Sequence, residues 1–359
     1  MFSYIDHSEM KDKLLNANFP KTAEGRVYHV EIKRVANRII TVGDPSRAQL
    51  FAEWLDKDTP IFKCNSARGF FTLTGKYKGV PVSIMGIGMG YPMMDIFVRE
   101  TRATVDGQLI IIRFGSCGTI GKGTVGHMVV PKGAFAVTKN FDYFYNYYED
   151  PDMTKNEEKN VKPYNVSKVF YADQEICELL QTKLLNYLPA NEIHTGLNAT
   201  CDSFYSSQGR EDGNFADHNK ELFTYIKKKH PQAESLEMET FILYHLAKCS
   251  NDAPIIKRKK SITNERINER HINVNKMNDE VKYDENIITT IKKPKNSIRA
   301  AAIMMVFTDR KTDEFIDPSR TKYLETVAGL AVLDVLISIK LEEEQENDDE
   351  CVWNLINQH

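Results

Sequence analysis

Residues 109–121 read L-I-I-I-R-F-G-S-C-G-T-I-G. An unbroken apolar run closed by glycine is the pattern of a strand buried on both faces. Arg113 interrupts it, and a buried guanidinium needs an anionic partner because an unpaired buried charge is expensive. Glycine turns present backbone N–H groups to anions. The stretch therefore predicts a core strand over 109–114 that stops in a glycine-rich turn beside an anion.

The same grammar recurs on either side. Residues 39–42 (I-I-T-V) end in G-D-P-S-R, and Ser46 opens a helix with Leu50, Phe51, Trp54 and Leu55 on one side. Residues 70–77 and 80–87 read as two strands joined at Lys78-Gly79, the second running into G-I-G-M-G-Y-P and then a helix over 93–105. Strands are expected at 127–137, 193–199 and 298–307, helices at 173–187, 239–248 and 321–341, an extended run at 27–32 and a polar loop at 155–165. Strand, glycine turn, helix in repetition is the α/β pattern, whose ligands sit at the carboxyl ends of the strands.

Charge narrows the options. The 359 residues carry 47 Lys plus Arg against 50 Asp plus Glu, a net charge of −3 that excludes a wholly nucleic-acid-coating protein. The average hides segregation: residues 257–296 carry about +5 and 341–359 about −7. The basic stretch is rich in Lys, Asn, Glu and Arg and keeps no period, so residues 250–297 read as a disordered insertion. Its mixed charge and few aromatics favour a solvated loop over a nucleic-acid surface, so no nucleic-acid partner is expected. No apolar run reaches the roughly 18 residues of a membrane helix. There is no signal-like N-terminus, and six scattered cysteines without a C-x-x-C pair suit a reduced, cytoplasmic chain without zinc.

Arg47 follows a glycine turn after a strand, Arg113 lies on a strand just before a second glycine turn, and Arg68 stands beside Gly69 just before a third strand. Guanidinium forks suit phosphate oxygens, and Ser116 adds a hydroxyl, so one reading is a phosphate site. The other is that the arginines pair with carboxylates. Glu237-Met238-Glu239 opens an apolar helix; the acids favour its N-terminus, or accept from vicinal hydroxyls of a sugar. Phe204, Gln208 and Arg210 share an irregular segment. Glutamine both donates and accepts while arginine only donates, which matches a planar imide edge, with Phe204 free to stack; a polar surface loop is the plainer reading. Asp309 ends a core strand as a proton donor or an ion-pair partner. His29 stands alone, and no histidine pattern suggests a metal.

On these residues the chain resembles the uridine phosphorylases of the nucleoside phosphorylase superfamily, over about 26–247 and 297–339. The resemblance carries G-D-P-S-R, I-I-I-R-F-G-S-C-G-T-I-G, G-M-G-Y-P, E-M-E and F-Y-S-S-Q-G-R. It implies a single three-layer α/β domain with a central mixed β-sheet flanked by helices, spanning 26–341. An N-terminal extension (1–25) precedes it, the insertion at about 250–297 interrupts it, and an acidic tail (342–359) follows. It implies phosphate binding by Gly43, Arg47, Arg68, Arg113 and Ser116, and ribose binding by His29, Met238 and Glu239. It implies base reading by Phe204, Gln208 and Arg210, with Arg113, Arg210 and Glu239 the catalytic set. In such enzymes a neighbouring subunit supplies the residues at Arg68 and His29, so a homodimer with shared sites follows. The implied reaction is phosphorolysis of uridine in pyrimidine salvage, with inorganic phosphate as co-substrate and no cofactor or metal. Departures are Asp309 where uridine phosphorylases carry asparagine, which leaves purine acceptance open, Gly69 where some carry a potassium-ligating acid, and Met93-Met94-Asp95 after the G-M-G-Y-P turn.

Overall fold

A strand does begin at Leu109, but it does not stop at the glycines: it runs on to Thr119. The computed structural model describes residues 14–149, 161–251 and 297–341. Its order is β1 (Arg38–Val42), α1 (Pro45–Ala52), β2 (Phe62–Asn65), β3 (Phe71–Tyr77), β4 (Val80–Gly86) and α2 (Tyr91–Arg102). Then come β5 (Leu109–Thr119), β6 (Met128–Val129), β7 (Gly133–Lys139) and α3 (Phe141–Glu149). β8 (Tyr164–Val166), β9 (Phe170–Tyr171), α4 (Gln174–Leu184), β10 (Ile193–His194) and β11 (Leu197–Cys201) follow. α5 (Leu222–Lys229), β12 (Ala233–Glu237), α6 (Thr240–Asn251), β13 (Ile298–Asp309) and α7 (Pro318–Ser338) complete the described chain.

The strands form one mixed sheet in the order β2-β3-β4-β1-β5-β12-β11-β7-β8, with β13 on β5 and β6. β5 is its axis. It pairs in parallel with β1 over its first half and with β13 from Leu109 to Thr119, while β12 joins antiparallel at Gly118 and Thr119. Side chains alternate along β5 as strand geometry requires. Ile110, Ile112 and Phe114 enter the cluster with Phe51 of α1, Leu180 of α4 and Val332 of α7. Leu109 and Ile111 face the cluster with Phe97 of α2 and Leu243 of α6. Helices thus cover both faces, the expected layered α/β architecture.

Local rules explain most element ends. Asp44 caps α1, accepting from the Arg47 amide at 3.0 Å, so the helix starts at Pro45 and not at Ser46. Lys78 and Gly79, with φ of 52° and 80°, make the two-residue turn between β3 and β4.

Several expectations are corrected. Gly115 and Gly118 lie within β5, because a Cβ at 115 would sit 3.2 Å from the Arg113 guanidinium and one at 118 would sit 2.9 Å from Thr308 Oγ1. The stretch 127–137 splits into β6 and β7, and 193–199 into β10 and β11. The run 27–32 is a turn: the Glu100 carboxylate of α2 gathers the amides of His29 (3.0 Å) and Val30 (2.8 Å). Of the polar loop at 155–165, residues 155–160 lie outside the described residues, and Tyr164 and Asn165 belong to β8. Nearly all of the insertion, residues 1–13 of the extension and the whole acidic tail also lie outside them. No described helix is long and apolar enough to cross a membrane.

Candidate functional site

Gly43 follows β1, Phe204, Gln208 and Arg210 follow β11, Met238 and Glu239 follow β12, Asp309 ends β13, and Arg113 and Ser116 lie within β5. Arg113 is buried on the α2 and α6 face of β5. Its Nε donates to Glu237 at 3.2 Å and its Nη2 to Glu239. Among the described residues its Nη1 is buried without a hydrogen-bond partner. The carboxylate-pairing reading of this arginine is therefore correct for two of its nitrogens.

Glu237-Met238-Glu239 does not lie inside a helix. Glu237 ends β12, and α6 starts at Thr240. The Glu237 carboxylate accepts from the amides of Glu239 (2.9 Å) and Thr240 (3.0 Å), Asn198 Nδ2 (2.6 Å) and Thr200 Oγ1 (2.6 Å). Burial alone would raise its pKa; Arg113 and these donors hold it below the usual carboxylate value instead. Glu239 has fewer donors, Arg113 and the Gly90 amide at 2.6 Å. Burial, reinforced by the neighbouring charge of Glu237, pushes it up to about 7. Two acids on one arginine thus separate into a charged anchor and a carboxyl poised near neutrality. Gly90 reaches Glu239 through a φ of 94°, a conformation glycine adopts freely. Met238 lies between the two buried acids but is itself partly exposed, against Gly90.

The second group is the loop after β11. A turn of 3-10 helix, Ser206–Gln208, ends at Gly209 with φ 64°. Arg210 then folds back: its Nη1 donates to Gln208 Oε1 at 2.8 Å and to the Phe204 carbonyl at 2.5 Å. Its guanidinium carbon lies 3.7 Å from the Phe204 ring centroid, so the ring stacks on the arginine. Asn219 Nδ2 clamps the loop through the carbonyls of Ser206 (3.1 Å) and Arg210 (2.8 Å). Arg310 Nη2 donates to the Gly209 carbonyl at 3.1 Å. Burial and the nearby charge of Arg310 push Arg210 down to about 10. The three base-reading candidates thus form one unit. Thr200, in the strand that leads into this loop, donates from its hydroxyl to Glu237, and its carbonyl accepts from Tyr91 Oη at 2.6 Å.

Gly43 abuts the second glycine turn, its carbonyl accepting from the Gly88 amide at 3.0 Å. Ser116 is partly exposed on β5, opposite Met305 of β13. Arg47 lies on the other face of β5, 5.7 Å from the Phe114 ring, with Nε donating to Glu325 of α7 at 2.9 Å. Asp309 is buried at the end of β13, where its Oδ1 accepts from the Lys311 amide at 2.9 Å and so caps a turn.

Two candidates stand apart from this group but together with each other. Arg68 is exposed, donates to Tyr28 Oη at 3.0 Å and lies over its ring at 5.5 Å. His29 adjoins that ring, and its Nδ1 is 2.6 Å from Glu100 Oε1. No group of three or more His, Cys, Asp or Glu among the described residues is placed to hold a metal.

Sequence reasoning missed Glu325, Asn198, Thr200 and Asn219. Each acts through a contact 9 or more positions away, beyond any local motif. Glu237 was within reach, since a buried arginine calls for a carboxylate and the E-M-E triplet offers two.

A family model described as the phosphorylase superfamily matches residues 37–285. The chain is 31% identical over 243 residues to a uridine phosphorylase of Thermococcus kodakarensis, covering 66% of this chain and 78% of that protein. It is 32% identical over 172 residues to a DeoD-type purine nucleoside phosphorylase of Oceanobacillus iheyensis, covering 42% and 72% respectively. A solved structure from work on two diverse uridine phosphorylases of the oomycete Phytophthora capsici superposes with a TM-score of 0.72. That chain is 33% identical to this one, with 92% of this chain and all of the other covered.

Proposed function

This chain belongs to the phosphorylase superfamily, and we propose that it cleaves uridine with inorganic phosphate to give uracil and ribose 1-phosphate. The observation that carries the reading is the Gln208–Arg210 unit. Gln208 Oε1 already accepts from Arg210, which fixes the amide so that its Nε2 points onward as a donor. The edge then offers N–H donors on either side of an acceptor, complementary to two carbonyl oxygens flanking an imide N–H. Such donors also stabilise the negative charge that spreads over those carbonyls as the glycosidic bond breaks.

Phosphate is the nucleophile. It adds to the anomeric carbon as the bond to the base breaks, and the proton from hydrogen phosphate ends on the departing uracil. The unpartnered Nη1 of Arg113 and the free end of Arg47 supply its donors, with Gly43, Ser116 and a partner subunit's Arg68 around it. Glu239 and Met238 hold the ribose with a partner's His29, and ionised Glu239 favours the cationic sugar. No covalent enzyme intermediate is needed; positioning and electrostatics carry the rate. A shared-site homodimer accounts for the separate placement of Arg68 and His29. Inosine cleavage is the second reading, supported by Asp309, which is buried next to Arg310 and so adjoins the base loop.

Incubation with uridine, thymidine and inosine, with and without phosphate, tests this. We expect phosphate-dependent uracil release with uridine preferred. Release without phosphate, or inosine strongly preferred, would overturn it.

A further inference from the structure

Arg47 would be a poor phosphate ligand if its whole guanidinium were neutralised. Its contacts are one-sided instead. Only Nε is engaged, by Glu325 Oε1 at 2.9 Å, and the plane packs against the Phe114 ring 5.7 Å away. Neither terminal nitrogen has a hydrogen-bond partner among the described residues, and neither is a fully buried orphan. A guanidinium held at Nε and braced on an aromatic face presents its two outer nitrogens as a fixed fork, the geometry that binds two oxygens of a phosphate. Glu325 itself lies about two turns inside α7, which packs on α1, the helix that carries Arg47. A cavity of about 420 Å³ lined by Leu50, Phe307, Ile316, Thr321, Lys322 and Glu325 lies beside the carboxylate.

We propose that Glu325 is a positioning residue for phosphate. It never touches substrate; it holds Arg47 by Nε and aims the fork. This rests on the phosphorolysis reading for the identity of the anion. The alternative is that Glu325 competes with phosphate for Arg47, and the two differ in sign. Aiming makes Glu325→Ala bind phosphate more weakly; competition makes it bind more tightly.

The test measures calorimetric binding of inorganic phosphate, and steady-state KM for phosphate and for uridine, in the wild type, Glu325→Ala and Glu325→Gln. Loss of one charge-assisted hydrogen bond should raise the phosphate Kd and KM about tenfold in Glu325→Ala, with KM for uridine changed less than about twofold. Glu325→Gln keeps a carbonyl acceptor for Nε and should recover most of the loss. Unchanged or tighter phosphate binding in Glu325→Ala would overturn the proposal, as would equal rises in both KM values or no recovery with Gln. A wild-type protein that binds no phosphate would sink both this proposal and the phosphorolysis reading. One that binds phosphate but releases no base from uridine would sink the reading alone, and the Kd comparison would still decide the role of Glu325.

Discussion

At the scale of single residues, the site turns on how unevenly two buried acids are served. Glu237 is saturated with donors and stays charged, whereas Glu239 is held near 7 by burial and by the charge beside it. Its raised pKa means that the neutral form dominates below about pH 7 and the charged form above. If the charged form favours the cationic sugar, kcat/KM should rise with pH through about 7. Glu239→Gln should flatten that limb and lower kcat/KM by roughly a hundredfold. A limb that survives the substitution assigns it to another group. For the base loop, Arg210→Ala should cut turnover on uridine by about a hundredfold while leaving the melting temperature within a few degrees. Unchanged turnover would count against the base-reading role. The residues of both units were legible because they cluster within a few positions of one another. Glu325 was not, because Arg47 and its partner are 278 positions apart and only the folding of α7 onto α1 brings them together.

Among the elements, the errors share one cause. Glycines after an apolar run read locally as a turn, but at 115 and 118 they are gaps in a strand through which Arg113 and Thr308 side chains pass. Likewise β12, A-E-S-L-E, carries two acids in five residues and has little strand character by composition. It is a strand because Glu234 is buried against the amides of Lys122 (2.7 Å) and Gly123 (2.6 Å), and Glu237 against its own donors. Tertiary contacts decide both cases, and no local pattern encodes them. The same logic places a glycine in α7, where intrinsic propensity would favour alanine. A Cβ at Gly329 would meet ring carbons of Phe51 and Trp54 at 2.7 Å. Gly329→Ala should therefore destabilise by about 1–3 kcal/mol through overpacking, despite a better helix former. Thermal and denaturant unfolding would check it, and a stabilised variant would show that α1 yields freely.

At the level of the whole molecule, the expected α/β layering holds, and several of the candidate residues gather just past the ends of β1, β11 and β12. What a single chain leaves divided is the pair Arg68 and His29, gathered on Tyr28. A shared-site dimer makes a sharp prediction. Arg68→Ala and Arg113→Ala proteins, each inactive alone, should regain activity when unfolded together and refolded as a mixture. Random pairing restores up to about a quarter of the sites of a wild-type dimer. Assays across mixing ratios check this, and no recovery at any ratio would argue that each chain completes its own site.

The long strand β13 also has an architectural consequence. Asp309 at one end touches the site, and the other end begins at Ile298, where the Leu109 amide binds the Ser297 carbonyl at 2.9 Å. Twelve residues of strand put those ends roughly 36 Å apart. The preceding helix α6 starts beside Glu239 and likewise carries the chain away from it, by about 17 Å. Asn251 and Ser297, which flank the segment between α6 and β13, therefore both lie at the pole away from Glu239 and Asp309. That pole is a natural attachment port, where sequence can be gained, lost or rewritten while the chemistry at the opposite end is left alone.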